Sequence, residues 1–237
     1  MIAFSSKYRS EEKEIMDDFQ FQGTEMNALL TDLKRVNSWL GGNSITLDGI
    51  RKLLSYKGEK TTVTILDIGC GDGEMLRVCA DKFQDIQMDF SFVGIDANQF
   101  IVEEAIRRTK DFQNIRYRNM DVFSKEFEDL EYDIALCSLF LHHFKNEEIE
   151  YLMKKITDKA KVGVVVNDLE RSRFAFVLFK IVSNLFVRTK TARTDGLVSI
   201  ARAFKKKEIR AFSQKIKADH IIKWKWAFRY QWIIKKV

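Results

Sequence analysis

Ile65-Leu66-Asp67-Ile68-Gly69-Cys70-Gly71-Asp72-Gly73 runs from a mostly apolar, β-prone segment into a loop with glycine at every second position, and Glu74 to Lys82 then follows with helical spacing. A strand that enters a helix through such a loop brings backbone close to a ligand where any Cβ would collide. The pattern belongs to α/β architecture.

Outward from this loop, short β-branched runs alternate with helical patterns, the mark of βαβ units and a mostly parallel sheet. The sequence predicts strands over Val63–Ile68, Phe90–Ile95, Ile115–Asn119, Ile134–Ser138 and Val162–Asn167, and helices over Glu74–Lys82, Gln99–Lys110 and Glu147–Thr157. Ile221–Trp226 and Tyr230–Ile234 are two β-prone runs joined by a few residues, which permits an antiparallel hairpin but no crossover. Upstream, between Glu11 and Leu40, Met26, Leu29, Leu30, Leu33, Val36 and Leu40 recur at helical steps and Gly41-Gly42 supplies a stop. A second short helix is expected over Leu47–Leu54 with Thr46 as its cap, before a junction at Tyr56–Lys60. The expected organisation is a helical cap over residues 1–60 and a main domain over 61–237, with a helical substrate-side insertion at 169–205.

At 237 residues with 46% hydrophobic and 31% charged residues, the chain suits one large globular domain and excludes disordered and low-complexity classes. Forty Lys and Arg against 34 Asp and Glu leave +6, short of the dense basic patch of a dedicated nucleic-acid binder. Cys70, Cys79 and Cys137 show neither zinc-site spacing nor the density of a disulfide scaffold, and the N-terminus reaches acids before any signal-peptide core. A cytoplasmic location is the expectation. The apolar stretch from Phe174 to Val187 is shorter than the ~20 residues of a membrane span.

The glycine loop lacks the sixth-position glycine of a dinucleotide fingerprint, where Glu74 stands, and the Gly-Lys-Ser/Thr of a Walker loop. Asp67, Asp72 and Glu74 would repel phosphates. A cationic ligand is welcome instead, and S-adenosylmethionine (SAM) carries an ammonium and a sulfonium with no phosphate. At this point the chain resembles the class I SAM-dependent methyltransferases, whose first motif is an acid followed by GxGxG, and the resemblance continues to about Asn167. It implies a Rossmann-like fold with a mostly parallel seven-stranded sheet, an antiparallel C-terminal hairpin and an N-terminal helical cap. It implies SAM as cofactor and S-adenosylhomocysteine (SAH) as product.

The same resemblance assigns cofactor contacts to Asp67, Gly69, Cys70, Gly71 and Gly73, and to Cys137 and Ser138 at the end of the fourth strand. Asp96, with Ala97 beside it, closes the second strand in FVGIDAN, where a carboxylate is expected on the ribose hydroxyls; a helix N-cap is its other reading. Asp121 and Val122 in RNMDVF are expected at the adenine, with a turn as the alternative. LHHFKNEE holds His142 and His143, two of the three histidines, beside the expected cofactor end. Methyl transfer to an oxygen needs that oxygen aligned with the sulfonium and relieved of its proton, and histidine titrates in the right range to take it. The run is similar to the LHDWxxEE-like segment of small-molecule O-methyltransferases, in which the position of His142 is the general base. Position 143 departs from it, since an Asp is usual there.

Substrate choice falls to the variable segments. Asp168 and Arg171 in NDLERS, Arg193 in RTDG and Arg202 in SIARAF are candidates for the polar end of a substrate site. With MDD at 16–18 and NSWLGG at 37–42, this layout resembles bacterial methyltransferases of polyketide and aromatic-lipid pathways and of the ubiquinone-biosynthesis type. Phe174–Val187 reads as one wall of a hydrophobic substrate tunnel, as an ordinary buried helix, or as a membrane-surface contact. The expected acceptor is a phenolic or enolic hydroxyl on a small, largely apolar molecule. RNA methylation and a non-catalytic cofactor-binding partner subunit are the rivals. No metal site is expected, because the His pair has no Cys or carboxylate companion at ligand spacing.

Overall fold

The computed structural model describes residues 2–18, 20–55 and 62–236. Seven strands form one sheet in the order β3-β2-β1-β4-β5-β7-β6. They are β1 (Thr62–Ile68), β2 (Asp89–Asp96), β3 (Ile115–Asn119), β4 (Ile134–Ser138), β5 (Gly163–Leu169), β6 (Asp219–Lys225) and β7 (Arg229–Lys235). β1 to β5 pair in parallel and β7 runs antiparallel between β5 and β6, so the C-terminal hairpin closes the sheet as expected.

Side chains alternate across the sheet, and each face finds its own core. Val63 and Ile65 of β1, Ile134 and Leu136 of β4 and Val165 of β5 pack with Leu47, Ile50 and Leu53 of α2 (Gly42–Leu54) and with Leu76 and Cys79 of α3 (Glu74–Lys82). The opposite positions, Leu66, Ala135, Val164 and Val166, meet Ile149, Leu152, Met153 and Ile156 of α5 (Asn146–Lys159) and Ile209 and Phe212 of α8 (Lys206–Ser213). Each fully buried Val or Ile of these clusters contributes about 1.5–3 kcal/mol of apolar transfer. α4 (Gln99–Arg108) covers β2 and β3.

The cap departs from its expected boundaries. α1 spans Gly23–Trp39, and among the described residues before it the one helical stretch is a short 3-10 turn at Ile15–Asp17. α2 starts at Gly42, so Thr46 is inside it rather than its cap. The expected junction at 56–60 lies outside the described residues. After β5 come α6 (Arg173–Phe186) and α7 (Lys190–Arg202). The buried-helix reading of Phe174–Val187 does not hold: Phe174 is 67% exposed and Leu185 77%. One face of α6 packs on α7, and on the other Val177, Leu178, Ile181 and Leu185 are exposed among the described residues. Among the described residues no helix is long and apolar enough to cross a membrane.

Candidate active site

A cavity of about 370 Å³ opens at the carboxyl ends of β1, β4 and β5, between the glycine loop, α1, α2, α6 and α7. That is where open α/β sheets take ligands. Leu33, Val36, Leu178, Phe179, Val182 and Phe186 give it apolar walls.

The loop end is built from backbone. Gly69, Gly71 and Gly73 have φ of +69°, +53° and +75°, and the amides of Gly69 and Cys70 donate to the Ile95 carbonyl at 2.9 and 3.0 Å. A Cβ on Gly71 would meet nothing within 4 Å, so the loop there borders open space. Asp67 lies beneath it, 2% exposed, and its Oδ1 has no hydrogen-bond partner. Burial, with the Asp96 charge added, pushes its carboxyl up to about 8. An unpartnered buried carboxyl under an open glycine cradle suits a ligand with a cationic group and no phosphate, so these residues fit the expected cofactor. Asp72 is already neutralised by Arg108 and Arg77, so Asp67 is the carboxyl under the loop that has no ion-pair partner among the described residues.

Asp96 accepts from Gly71 N at 3.2 Å and Asn98 N at 3.0 Å, tying the loop to β2. The cap of α4 is Asn98, whose Oδ1 accepts from Phe100 N, so Asp96 is not consumed as an N-cap. The Ala97 carbonyl accepts from Asn119 Nδ2 at 2.9 Å. Asp121 is exposed and its Oδ1 accepts from Phe123 N at 2.9 Å, a turn bond; Val122 is buried, and neither lines the cavity. Cys137 is buried in the core, its thiol pushed up by burial, while Ser138 lines the cavity with Oγ 3.0 Å from Thr46 Oγ1.

The histidine pair follows β4. His142 Nδ1 is 2.7 Å from Asp168 Oδ1 and His142 Nε2 is 3.3 Å from Glu14 Oε1. His143 Nδ1 is 2.7 Å from Asp17 Oδ1, and the two rings lie 4.4 Å apart. Burial works against the His142 imidazolium, but the Asp168 and Glu14 charges and hydrogen bonds outweigh it and push the group up to about 10. Glu14 and Asp168 are held below the usual carboxylate range: burial opposes this, and the histidines overcome it. The fold thus supplies the carboxylate companions that chain spacing did not show. Glu14, His142 and His143 place a donor atom each within 4.8 Å of one another and could hold a divalent cation.

The candidate substrate residues separate. Asp168 faces His142 and accepts the amides of Leu141 and Leu169 at 3.0 and 2.7 Å. Arg171 is fully buried against Glu208 and the Ala203 carbonyl, away from the cavity. Arg193 holds Thr189 O and Asn184 Oδ1 on α6 and α7. Arg202 donates to the carbonyls of His142, His143 and Glu12, so it positions the histidine loop and the N-terminal segment. Sequence reading missed Glu14, Asn37 and Arg229, all of which line the cavity. Glu14 is one acid in an acidic run and Arg229 one cation of a basic tail, and nothing in their local sequence sets them apart.

Residues 65–163 match the sequence profile of a methyltransferase domain. The match spans the glycine loop, Asp96 and the histidine pair, and marks this stretch as a methyltransferase domain. Over 103 residues it is 34% identical to a carboxy-S-adenosyl-L-methionine synthase of Helicobacter pylori strain P12, covering 43% of this chain and 40% of that protein. Over 132 residues it is 27% identical to a ubiquinone biosynthesis O-methyltransferase of Rickettsia bellii, covering 54% and 51%. The chain therefore spans about half or less of the length of these curated relatives. In fold, this methyltransferase domain is similar to the plantazolicin methyltransferase BpumL in complex with SAH, at TM-score 0.62 and 15% identity over 94% of this chain and 99% of the other. It is also similar to the magnesium protoporphyrin IX methyltransferase ChlM from Synechocystis PCC 6803 with bound SAM, at TM-score 0.57 and 14% identity over both chains in full. SAM is the methyl donor of this methyltransferase family.

Proposed function

We propose that this chain transfers a methyl group from SAM to a hydroxyl of a small, largely apolar acceptor held in the cavity. The observation that carries the reading is one cavity bordered by both the glycine loop over Asp67 and the buried His142 beside Asp168. Bound at the loop, SAM supplies an electrophilic methyl carbon on a sulfonium. Asp67 and the loop backbone hold the cationic end, with Asp96 at the ribose and Asp121 and Val122, which lie beyond the cavity's lining, assigned to the adenine edge by the resemblance alone. Asp168 fixes the His142 ring through Nδ1, and Nε2, which faces Glu14 at 3.3 Å in the free site, is the nitrogen that takes the hydroxyl proton once the acceptor displaces Glu14 from it. The apolar walls exclude water and orient the acceptor's body.

His142 holds a proton at neutral pH in the free site, so it becomes a base only as that proton leaves. Turnover of phenolic acceptors, followed as SAH formation, is expected to rise with pH into the alkaline range. The His142→Ala enzyme should bind SAH normally and lose turnover by about 10²–10⁴-fold, the range of a general base. Unchanged turnover in that variant sinks the base assignment. Turnover lost on chelation and restored by a divalent ion would instead assign Glu14, His142 and His143 to a metal.

The exposed apolar face of α6, flanked by Arg173, Lys180 and Arg188, supports peripheral contact with a membrane from which an apolar acceptor is drawn.

A further inference from the structure

Arg229 opens β7 opposite Leu169, lines the cavity and is 2% exposed. Its guanidinium turns under the start of α2, where a Cβ built on Gly42 would lie 2.9 Å from Nη1. Neither Nε nor Nη1 has a hydrogen-bond partner. The Asp168 charge acts on it. Yet the oxygens of Asp168 are taken by the His142 ring and by the amides of Leu141, His142 and Leu169. Asn37 Oδ1, also without a partner, crowds the same Cβ position at 1.9 Å and offers a dipole but no charge.

The end of α2 adds a second positive feature. Its first-turn amides carry the positive end of the helix dipole, and that turn contains no acid. The guanidinium lies against that helix start in the wall of the cavity, and among the described residues only the Asp168 charge acts on it, with no oxygen left to accept from Nε or Nη1. Burying a cation in that state is costly unless a partner arrives. Along β1-β4-β5-β7 the residue is three strands from the glycine loop, ~14 Å at about 4.8 Å per strand. It lies two strands beyond β4, which leads into His142, on the acceptor's side of the cavity.

We infer that Arg229 and the first turn of α2 form an anchor for a carboxylate on the acceptor, so that the substrate class is an apolar, carboxylate-bearing hydroxy compound. This rests on the reading that the cavity receives a methyl acceptor. One guanidinium fork matches the two oxygens of one carboxylate. Glu14 and Asp168 nearby disfavour the second charge of a phosphate monoester. With the carboxylate fixed at Arg229, the apolar body lies along the α6 wall and the hydroxyl reaches towards His142.

Isothermal titration with 3-hydroxy-2-naphthoate and with 2-naphthol, which share a ring and a hydroxyl and differ in the carboxylate, tests the anchor. The wild-type protein should bind the naphthoate about tenfold or more tightly than the naphthol, the scale of one charge-assisted pair. Arg229→Met should erase the preference and Arg229→Lys keep part of it. Equal binding of both probes to the wild type, a comparison that needs no variant, overturns the inference. SAH titrated into the same proteins separates the two readings. Equal affinity in wild type and Arg229→Met is expected, whereas loss in the variant alone would move Arg229 to the cofactor and overturn the anchor. No SAH binding to the wild type sinks the methyltransferase reading, while the naphthoate preference still reports on the anchor.

Discussion

Asp67 and His142 border one cavity, each with a proton that a ligand must contend with. Asp67, held up at about 8, is mostly protonated at pH 7. A cationic group brought against it favours the carboxylate and lowers that value, so SAH binding near pH 7 should release part of a proton. Titrations in phosphate and Tris should then give different binding enthalpies, and Asp67→Asn should remove the difference; identical enthalpies in the wild type contradict the assignment. His142 behaves in the opposite sense. Its value, about 10 against an ordinary 6.5, means that its pairing contributes stability in full below about pH 6.5 and loses it as pH climbs through 10. Glu14→Gln removes one of its two carboxylates and should move the alkaline rise of turnover down by about one unit or more. A profile that stays in place shows that Glu14 does not set it. Both residues were legible in the sequence as candidates, because a motif surrounds each. Their protonation was not, since it depends on Asp96, Asp168 and Glu14, which only the fold brings close.

At the scale of elements, the strands and the glycine loop were readable because β-branched runs and turn residues are local signals, and β3 and β4 begin and end where predicted. α6 was not. A run apolar at nearly every position has no polar stripe to mark its solvent side, so sequence could not tell a buried helix from an exposed one. Asp121 keeps both of its readings: the resemblance puts it at the adenine, and its Oδ1 accepts from Phe123 N in a turn. The uncovered face of α6 carries a prediction of its own. The wild-type protein should sediment with phosphatidylglycerol vesicles, and the double change Ile181→Glu and Leu185→Glu should abolish this without altering the circular dichroism, since both side chains are exposed. Vesicle binding that survives both charges would assign the contact elsewhere.

Across the whole molecule, the segment before α1 is fastened over the site by distant groups. Asp195 accepts the amides of Ile15 and Met16 at 2.8 and 3.1 Å, and Arg9 reaches the His142 carbonyl at 3.0 Å. Ser10 N donates to Ala201 O at 3.0 Å. These ties deliver Glu14 to His142. Asp195→Ala leaves two amides without their acceptor, a local cost of about 1–3 kcal/mol. Limited proteolysis within residues 7–18 should speed up and turnover should fall, with SAH affinity unchanged. An unchanged cleavage rate would show that the segment is held by its other contacts.

The central claim is that the loop from Gly69 to Gly73 takes SAM, and titration of SAH into the wild type and into Gly71→Val tests it most directly. Gly71 has left-handed backbone and open space before it, so the valine costs about 1–2 kcal/mol of strain and projects where the ligand would lie. Saturable binding to the wild type, lost in a Gly71→Val protein with unchanged circular dichroism, is the predicted result. Equal binding to both proteins, or none to a folded wild type, would contradict the account.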